Sequence, residues 1–381
     1  MDFTFTEEQQ AAVEAARGVF TDVTPDRVPS PALTPGAVSD EFDRPLWAGL
    51  ADTDLLGLVL DPRHGGAGLD VLALCLVLRE SARVLARVPL LEHSAVAMAI
   101  DRYGSPALAA ELLPRAGRGE LVLTCGSQGR TGHDPAELAV TARRDGDGDS
   151  AAWILDGLHS AVPWAHSADL LALPAHTPDG RAVLALVPRD QDGLTLAEQY
   201  STNGELLAEA RLDAVRLDGD RVIDADGAWE WLRGVLATGT CALALGLGES
   251  VLAMTSQYTG KREQFGHPVA TFQAVAVQAA DRYIDLRAME VTLWQAAWRI
   301  STGAGGALPV DGDIAVAKIW ASEGVRRVVQ TAQHLHGGFG ADTDYPLHRF
   351  HAWAKHLELS LGPAAAHEQT LGDLLAAHPL G

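Results

Sequence analysis

Four runs of apolar residues at helical spacing, 229–260, 270–302, 311–336 and 364–376, occupy most of the chain beyond Gly227. A helix with one apolar face must bury it, and four such helices in succession bury their faces best against one another, as an antiparallel bundle. The last third is therefore expected to be helical, with the insert Gly303-Ala304-Gly305-Gly306-Ala307 as a loop between two bundle helices.

The first third also reads as helical. Thr6-Glu7-Glu8-Gln9 supplies an N-cap hydroxyl and acids that complement the helix dipole, opening an amphipathic run to Phe20. The proline-rich stretch 25–35 cannot continue that helix and predicts an extended connection. Helical spacing returns over 42–56, Gly65-Gly66-Ala67-Gly68 marks a turn, and 71–85, 90–103 and 106–116 predict buried helices. From Leu121 to about Leu217 the pattern changes to short β-prone pieces, 120–124, 152–155 and 182–187, separated by Asp/Gly turns such as 145–149. The expected fold is mostly α with a central β-domain: a helical domain over 1–120, a small β-barrel or sheet domain over 121–226, and a four-helix bundle over 227–381.

Size and charge narrow the function. A chain of 381 residues and 40.3 kDa can enclose a large cofactor. A formal charge of −21 and a pI near 4.9 argue against a nucleic-acid surface, which needs clustered Lys and Arg. The N-terminus shows no basic segment followed by an apolar run, and charged residues interrupt each candidate for the roughly 20-residue span a bilayer needs. The expectation is a cytoplasmic protein without a membrane segment. Cys75, Cys125 and Cys241 are too few and too scattered for a disulfide frame or a zinc site, and none of the 14 histidines forms a helical metal-binding pair beside a carboxylate. They read as small buried residues and scattered histidines, with no metal.

Two segments carry chemistry. In 258–273, Tyr-Thr-Gly-Lys-Arg-Glu-Gln-Phe-Gly-His-Pro-Val-Ala-Thr-Phe-Gln, a charged turn interrupts the helical pattern. Arg262 offers a two-point fork to a pyrophosphate, Phe265 an apolar face to a heterocycle, and Gln273 an amide for an adenine or ribose edge. Alone, the segment reads equally as a solvated helix end with one packed aromatic. The second segment is a glycine-rich break, His336-Gly337-Gly338-Phe339-Gly340 followed by 345–349, with Gln333 just before it. Gly337 and Gly338 let a backbone approach a ligand closely, although glycines in this position also serve as helix C-caps.

Together these segments resemble the flavin half-sites of acyl-CoA dehydrogenases, and the order of helices, sheet and bundle extends the resemblance over nearly the whole chain. The resemblance implies FAD as cofactor, an acyl-CoA substrate, transfer of electrons to an electron-transferring flavoprotein, and Arg262, Phe265, Gln273, Gln333, Gly337 and Gly338 as contacts to the FAD of a neighbouring subunit. In the β-domain, the family's Thr-Glu-Pro-Gly-Ala-Gly-Ser-Asp-like segment corresponds to 127–134, which keeps Ser127, Gly132 and Asp134. Its Trp-x-Thr-Asn-like segment corresponds to 161–164, which lacks the threonine and has a shifted tryptophan, Trp164.

The family's chemistry removes an α-proton with a carboxylate while a β-hydride passes to flavin. At the position of the usual glutamate this chain has Leu361, and the alternative position, within 236–240, holds no acid. No catalytic residue is assigned. Glu358 and Glu249 are the nearest alternatives, one and two helical turns away, and read as surface or interface groups. The pattern also resembles bacterial members that form heterotetramers, in which one subunit supplies the base and the other completes the FAD site. The leading expectation is a base-lacking subunit of such an acyl-CoA dehydrogenase. The alternatives are a homo-oligomeric flavin-dependent oxidase or oxygenase-like enzyme of specialised metabolism, and a catalytically inactive structural paralogue.

Overall fold

The computed structural model describes residues 4–31, 33–39, 41–129, 138–146 and 151–379. The first part of the chain forms helices α1 (Glu7–Phe20), α2 (Arg44–Asp52), α3 (Val71–Arg83), α4 (Leu90–Tyr103) and α5 (Pro106–Gly117). Their starts follow from local chemistry. Thr6 and Gln9 form a reciprocal capping box, and Asp43, Asp70 and Ser105 accept from the third backbone N–H of α2, α3 and α5. The segment expected to be extended, 25–35, instead coils at Pro25–Arg27 into a single 3-10 turn capped by Thr24. Proline's fixed φ suits the first position of such a turn as well as it suits extended chain.

The middle of the chain is a mixed sheet of strands β1 (Leu123–Cys125), β2 (Val140–Asp145), β3 (Ala152–Pro163), β4 (Leu170–His176), β5 (Ala182–Pro188), β6 (Leu194–Tyr200), β7 (Leu206–Leu217) and β8 (Val222–Ile223). The order is β6-β7-β3-β2-β4-β5-β8, with β1 parallel to β4. Side chains alternate across a strand, and β4 and β5 serve two cores accordingly. Leu170, Ala172, Leu184 and Leu186 join the helical core, whereas Leu171, Leu173, Val183 and Ala185 fill the sheet's own interior. This shared pair of strands fixes the sheet against the helices.

The remainder comprises α6 (Ala228–Lys261), a tight hairpin of β9 (Glu263–Gln264) and β10 (His267–Pro268), α7 (Gln273–Thr302), α8 (Val310–His336), α9 (Leu347–Leu359) and α10 (Ala364–Ala377). The glycine-rich break is shorter than its sequence suggests, because residues 347–349 are the first turn of α9. Leu347, Phe350, Ala354 and Leu357 of that helix are buried at helical spacing, a signal obscured by the intervening His, Arg and Lys residues. The loop expected at 303–307 does separate α7 from α8.

Helix α6 is the axis of the molecule, packing on α3, α4, α7, α8 and α9. Contrary to the sequence expectation, it is long and apolar enough to cross a membrane by length and composition alone. Its most apolar window is 78% buried inside the protein, which accounts for that apolarity. Cys75, Cys125 and Cys241 are all buried and free.

Gly246 permits the closest approach of α6 to α3, since a Cβ there would collide with the backbone carbonyl of Arg79. Backbone cannot yield as a flexible side chain does, so Gly246→Ala is expected to destabilise the fold by about 1–3 kcal/mol. Urea denaturation of the two proteins, read by circular dichroism, checks this; an unchanged midpoint would refute the tight contact.

Candidate functional site

A cavity of about 140 Å³ lies where α3, α4, the sheet, α6 and α9 converge. Its wall is mostly apolar and includes Leu236, Leu243, Leu357 and Leu361, with Ser127 and Gln128 on the sheet side. The two positions at which a catalytic carboxylate was sought both belong to this region, and Leu361 and Thr240 face it from α9's end and from α6.

The turn that presents Leu361 is rigidly held. Lys318, fully buried in α8, donates from Nζ to Ser322 Oγ at 2.9 Å, to Leu357 O at 3.2 Å and to Glu358 O at 3.3 Å. Ser322 Oγ adds a bond to Glu358 O at 3.1 Å. An ammonium thus satisfies carbonyls left open at the C-terminus of α9, where positive charge is favoured, although burial pushes Lys318 down to about 8. Beyond α9, Leu361 takes a left-handed backbone, φ 57°, and its carbonyl accepts from His367 Nε2 at 2.9 Å.

Glu358 and Glu249, expected as surface or interface groups, are largely withdrawn from solvent. Glu358 is paired with Lys355 at 2.5 Å, Glu249 accepts from Arg79 Nε at 2.8 Å, and their side chains are 13% and 18% exposed. Both are committed to ion pairs, and neither lines the cavity.

Two other glutamates do, and sequence reasoning missed them because they come from α4 and the start of β7. Glu205 is clamped by Arg87, at 2.5 and 3.0 Å. Glu92 accepts from the indole of Trp164, and burial pushes its carboxyl up to about 7, with Glu205 adding to the rise. No spacing rule links positions 92, 164 and 205; only the fold makes them neighbours.

The segments singled out around Arg262 and Gly337 form a second, exposed site at the far end of α6 and α8. The β9–β10 hairpin carries Phe265 at its tip with φ 55° and 92% of its surface in solvent. Arg262 is exposed, and its guanidinium has no partner among the described residues; Gln273 is exposed at the first position of α7. Gly337 has φ 59° and ψ −137°, a conformation that suits glycine, and a Cβ on Gly337 or Gly338 would meet nothing within 4 Å. Gln333 is half-buried, its amide 3.5 Å from Gly337 O.

Aromatic stacking joins the two segments. Tyr258, whose carbonyl accepts from Arg262 N–H at 2.8 Å, stacks on His336 at 4.5 Å and on Phe339 at 5.2 Å. Arg262, Phe265, Gln273, Gln333, Gly337 and Gly338 therefore belong to one end of the molecule, whereas Ser127 lies apart, in the cavity wall. Arg130, Thr131, Gly132, His133 and Asp134, the end of the sequence segment 127–134, lie outside the described residues. An unpaired guanidinium, an exposed ring and an open glycine turn suit the phosphates and heterocycle of FAD.

Helices flanking a small sheet, with a cavity between them and an exposed turn at the bundle's end, set the frame for the comparison with known proteins. Residues 6–120 match the acyl-CoA dehydrogenase N-terminal domain and residues 234–375 the acyl-CoA dehydrogenase C-terminal domain, and this chain belongs to the acyl-CoA dehydrogenase family. Acyl-CoA dehydrogenase FadE27 of Mycobacterium tuberculosis is 34% identical over 100% of both chains. Among solved structures, the ChsE4-ChsE5 complex from Mycobacterium tuberculosis matches with a TM-score of 0.89 and 33% identity over 100% of both chains. A variant of the Tcur3481-Tcur3483 steroid ACAD matches with a TM-score of 0.88 and 39% identity, over 97% of this chain and 98% of that one.

Glu92 generates a pH test. Its folded-state pKa lies above the ordinary carboxyl value of 4.5, so its protonated form favours folding; that contribution is full below the ordinary value and is lost as pH rises through about 7. Glu92→Gln keeps an acceptor for Trp164 without the charge. Thermal melts from about pH 5 to about pH 8 are expected to show the variant gaining on the parent protein as pH rises; a pH-independent difference would place Glu92 in contact with solvent.

Proposed function

We propose that this chain is the base-lacking subunit of an FAD-dependent acyl-CoA dehydrogenase, assembled with a glutamate-bearing homologue whose flavin it helps to hold. The observation that carries this reading is the pairing of an apolar Leu361 at the cavity with an outward-facing set of residues, Arg262, Phe265 and Gln273, whose chemistry suits a flavin. Glu205, bound by Arg87, and Glu92, bound by Trp164, are poor replacements for a free base at the far wall. A cavity of about 140 Å³ is also smaller than the roughly 300 Å³ at which small-molecule sites begin.

When bound, FAD accepts the hydride as the α-proton leaves the acyl thioester. This chain's part is to bind and orient. Arg262 meets pyrophosphate oxygens with its fork, Phe265 covers an apolar part of the cofactor, and Gln273 and Gln333 supply amide contacts. Gly337 and Gly338 let the backbone come close. In this reading the α-proton goes to the partner's carboxylate.

A stripe on α7 supports the presence of that partner. Val277, Ile284 and Val291, seven residues apart, are 52%, 62% and 57% exposed, with Tyr283 beside them. Exposed apolar side chains in a row mark a surface that another protein covers. The similarity to a steroid ACAD and to the ChsE4-ChsE5 complex supports a homologous dehydrogenase subunit as that protein and a steroid-derived acyl-CoA as substrate. An electron-transferring flavoprotein as acceptor belongs to the same proposal and follows from the family resemblance alone.

Purification of the chain alone and after co-expression with a glutamate-bearing homologue, with flavin per polypeptide read from the visible spectrum, tests the proposal. Flavin is expected only in the complex, and Arg262→Ala is expected to weaken its retention by about tenfold or more, as loss of a charged hydrogen bond implies. Full flavin in the isolated chain would instead support a homo-oligomeric flavoprotein, and no flavin in either sample a structural paralogue.

A further inference from the structure

The proposed flavin-binding end depends on two chain segments, 262–273 and 333–338, that are separate in sequence and must hold one relative placement. Four rings lie at their junction. Tyr258 from α6 stacks on His336 with an interplanar angle of 21° and on Phe339 with one of 7°. Tyr345, from the turn before α9, lies 4.5 Å from Phe339 and 5.2 Å from His336, measured between ring centres.

The hydrogen bonds of His336 determine its state. Nδ1 lies 2.8 Å from Ala332 O, and because a carbonyl only accepts, Nδ1 must carry the hydrogen. Nε2 is 3.0 Å from the Tyr345 hydroxyl. In the neutral ring Nε2 is bare and accepts from Tyr345; burial, which holds His336 below its ordinary value, favours that form. The ring thus ties the last turn of α8 to the segment leading into α9, and Gly337 and Gly338 lie between the two anchors.

We propose that His336 and Tyr345 are positioning residues for flavin binding, their hydrogen bond holding the Gly337-Gly338 turn in register with Arg262 through the ring of Tyr258. The inference rests on the shared-flavin reading above. Neither residue is required to touch the cofactor. Their role is to remove alternative placements of a glycine pair that has no side chain of its own to fix it, so that the cost of ordering the turn falls in folding rather than in binding.

The test uses the flavin-carrying complex with the glutamate-bearing homologue and measures FAD affinity by fluorescence titration, together with melting temperature. Tyr345→Phe keeps the stacked ring and deletes the donor; it is expected to weaken FAD binding by about tenfold, the effect of one part-buried hydrogen bond, with the complex still assembled. His336→Leu is expected to do the same, and His336→Gln, which keeps a donor and an acceptor, to recover part of the loss. A lower melting temperature with unchanged FAD affinity for both Tyr345→Phe and His336→Leu would make the cluster structural only and overturn the proposal. Arg262→Ala, measured alongside, separates the two ideas. If it weakens FAD while the ring variants do not, the positioning role fails and the shared site stands; if it has no effect, the shared site itself fails.

Discussion

Everything in this molecule is arranged around the burial of α6. Its 34 residues pack on helices from both ends of the chain, and Gly246 lets it approach α3 at backbone distance. Because packed interiors are dense and yield little, the position of this one helix sets where Thr240 meets the cavity and where Arg262 leaves the bundle. The cavity and the exposed turn are therefore two outcomes of a single placement, one midway along the helix and one at its end.

Charge is distributed on the same scaffold with unusual economy. The interior holds a buried ammonium, Lys318, whose hydrogen bonds all go to Ser322 and to carbonyls at the end of α9. It stabilises a turn rather than a substrate. The carboxylates weighed as substitutes for the missing base are paired, Glu358 with Lys355 and Glu249 with Arg79. Arg262, by contrast, has no partner among the described residues of a chain of net charge −21. The contrast separates groups that serve the fold from the one to which the proposed function gives a ligand.

The long helices and the order of helices, then strands, then helices were readable from periodicity, since 3.6- and 2-residue repeats report directly on which face is buried. The Thr6 cap was readable for the same local reason. Helix α9 was not separated from the glycine-rich break, because its buried Leu347, Phe350 and Ala354 alternate with His348, Arg349 and Lys355 and follow a proline. At the site, Arg262, Phe265, Gln273 and Gly337 stood out because each lies in an interruption of a regular pattern. Glu92, Trp164 and Glu205 did not, since their proximity arises from long-range packing among α4, the turn after β3 and the start of β7. The same holds for the ring cluster: His336 was visible in sequence beside its glycines, but nothing in the spacing tied it to Tyr258.

Phe265, almost wholly in solvent at the tip of its hairpin, has a consequence for how such a chain fares in a cell. A cofactor gripped from both sides by two polypeptides acts as a rivet, and any ligand bound only by the assembled state stabilises that assembly in proportion to the logarithm of its concentration. On the shared-site reading, vitamin supply would govern subunit lifetime as well as catalysis: with riboflavin scarce, chains would come apart, their apolar stripes would be uncovered, and the cell's proteases would meet them before any substrate did.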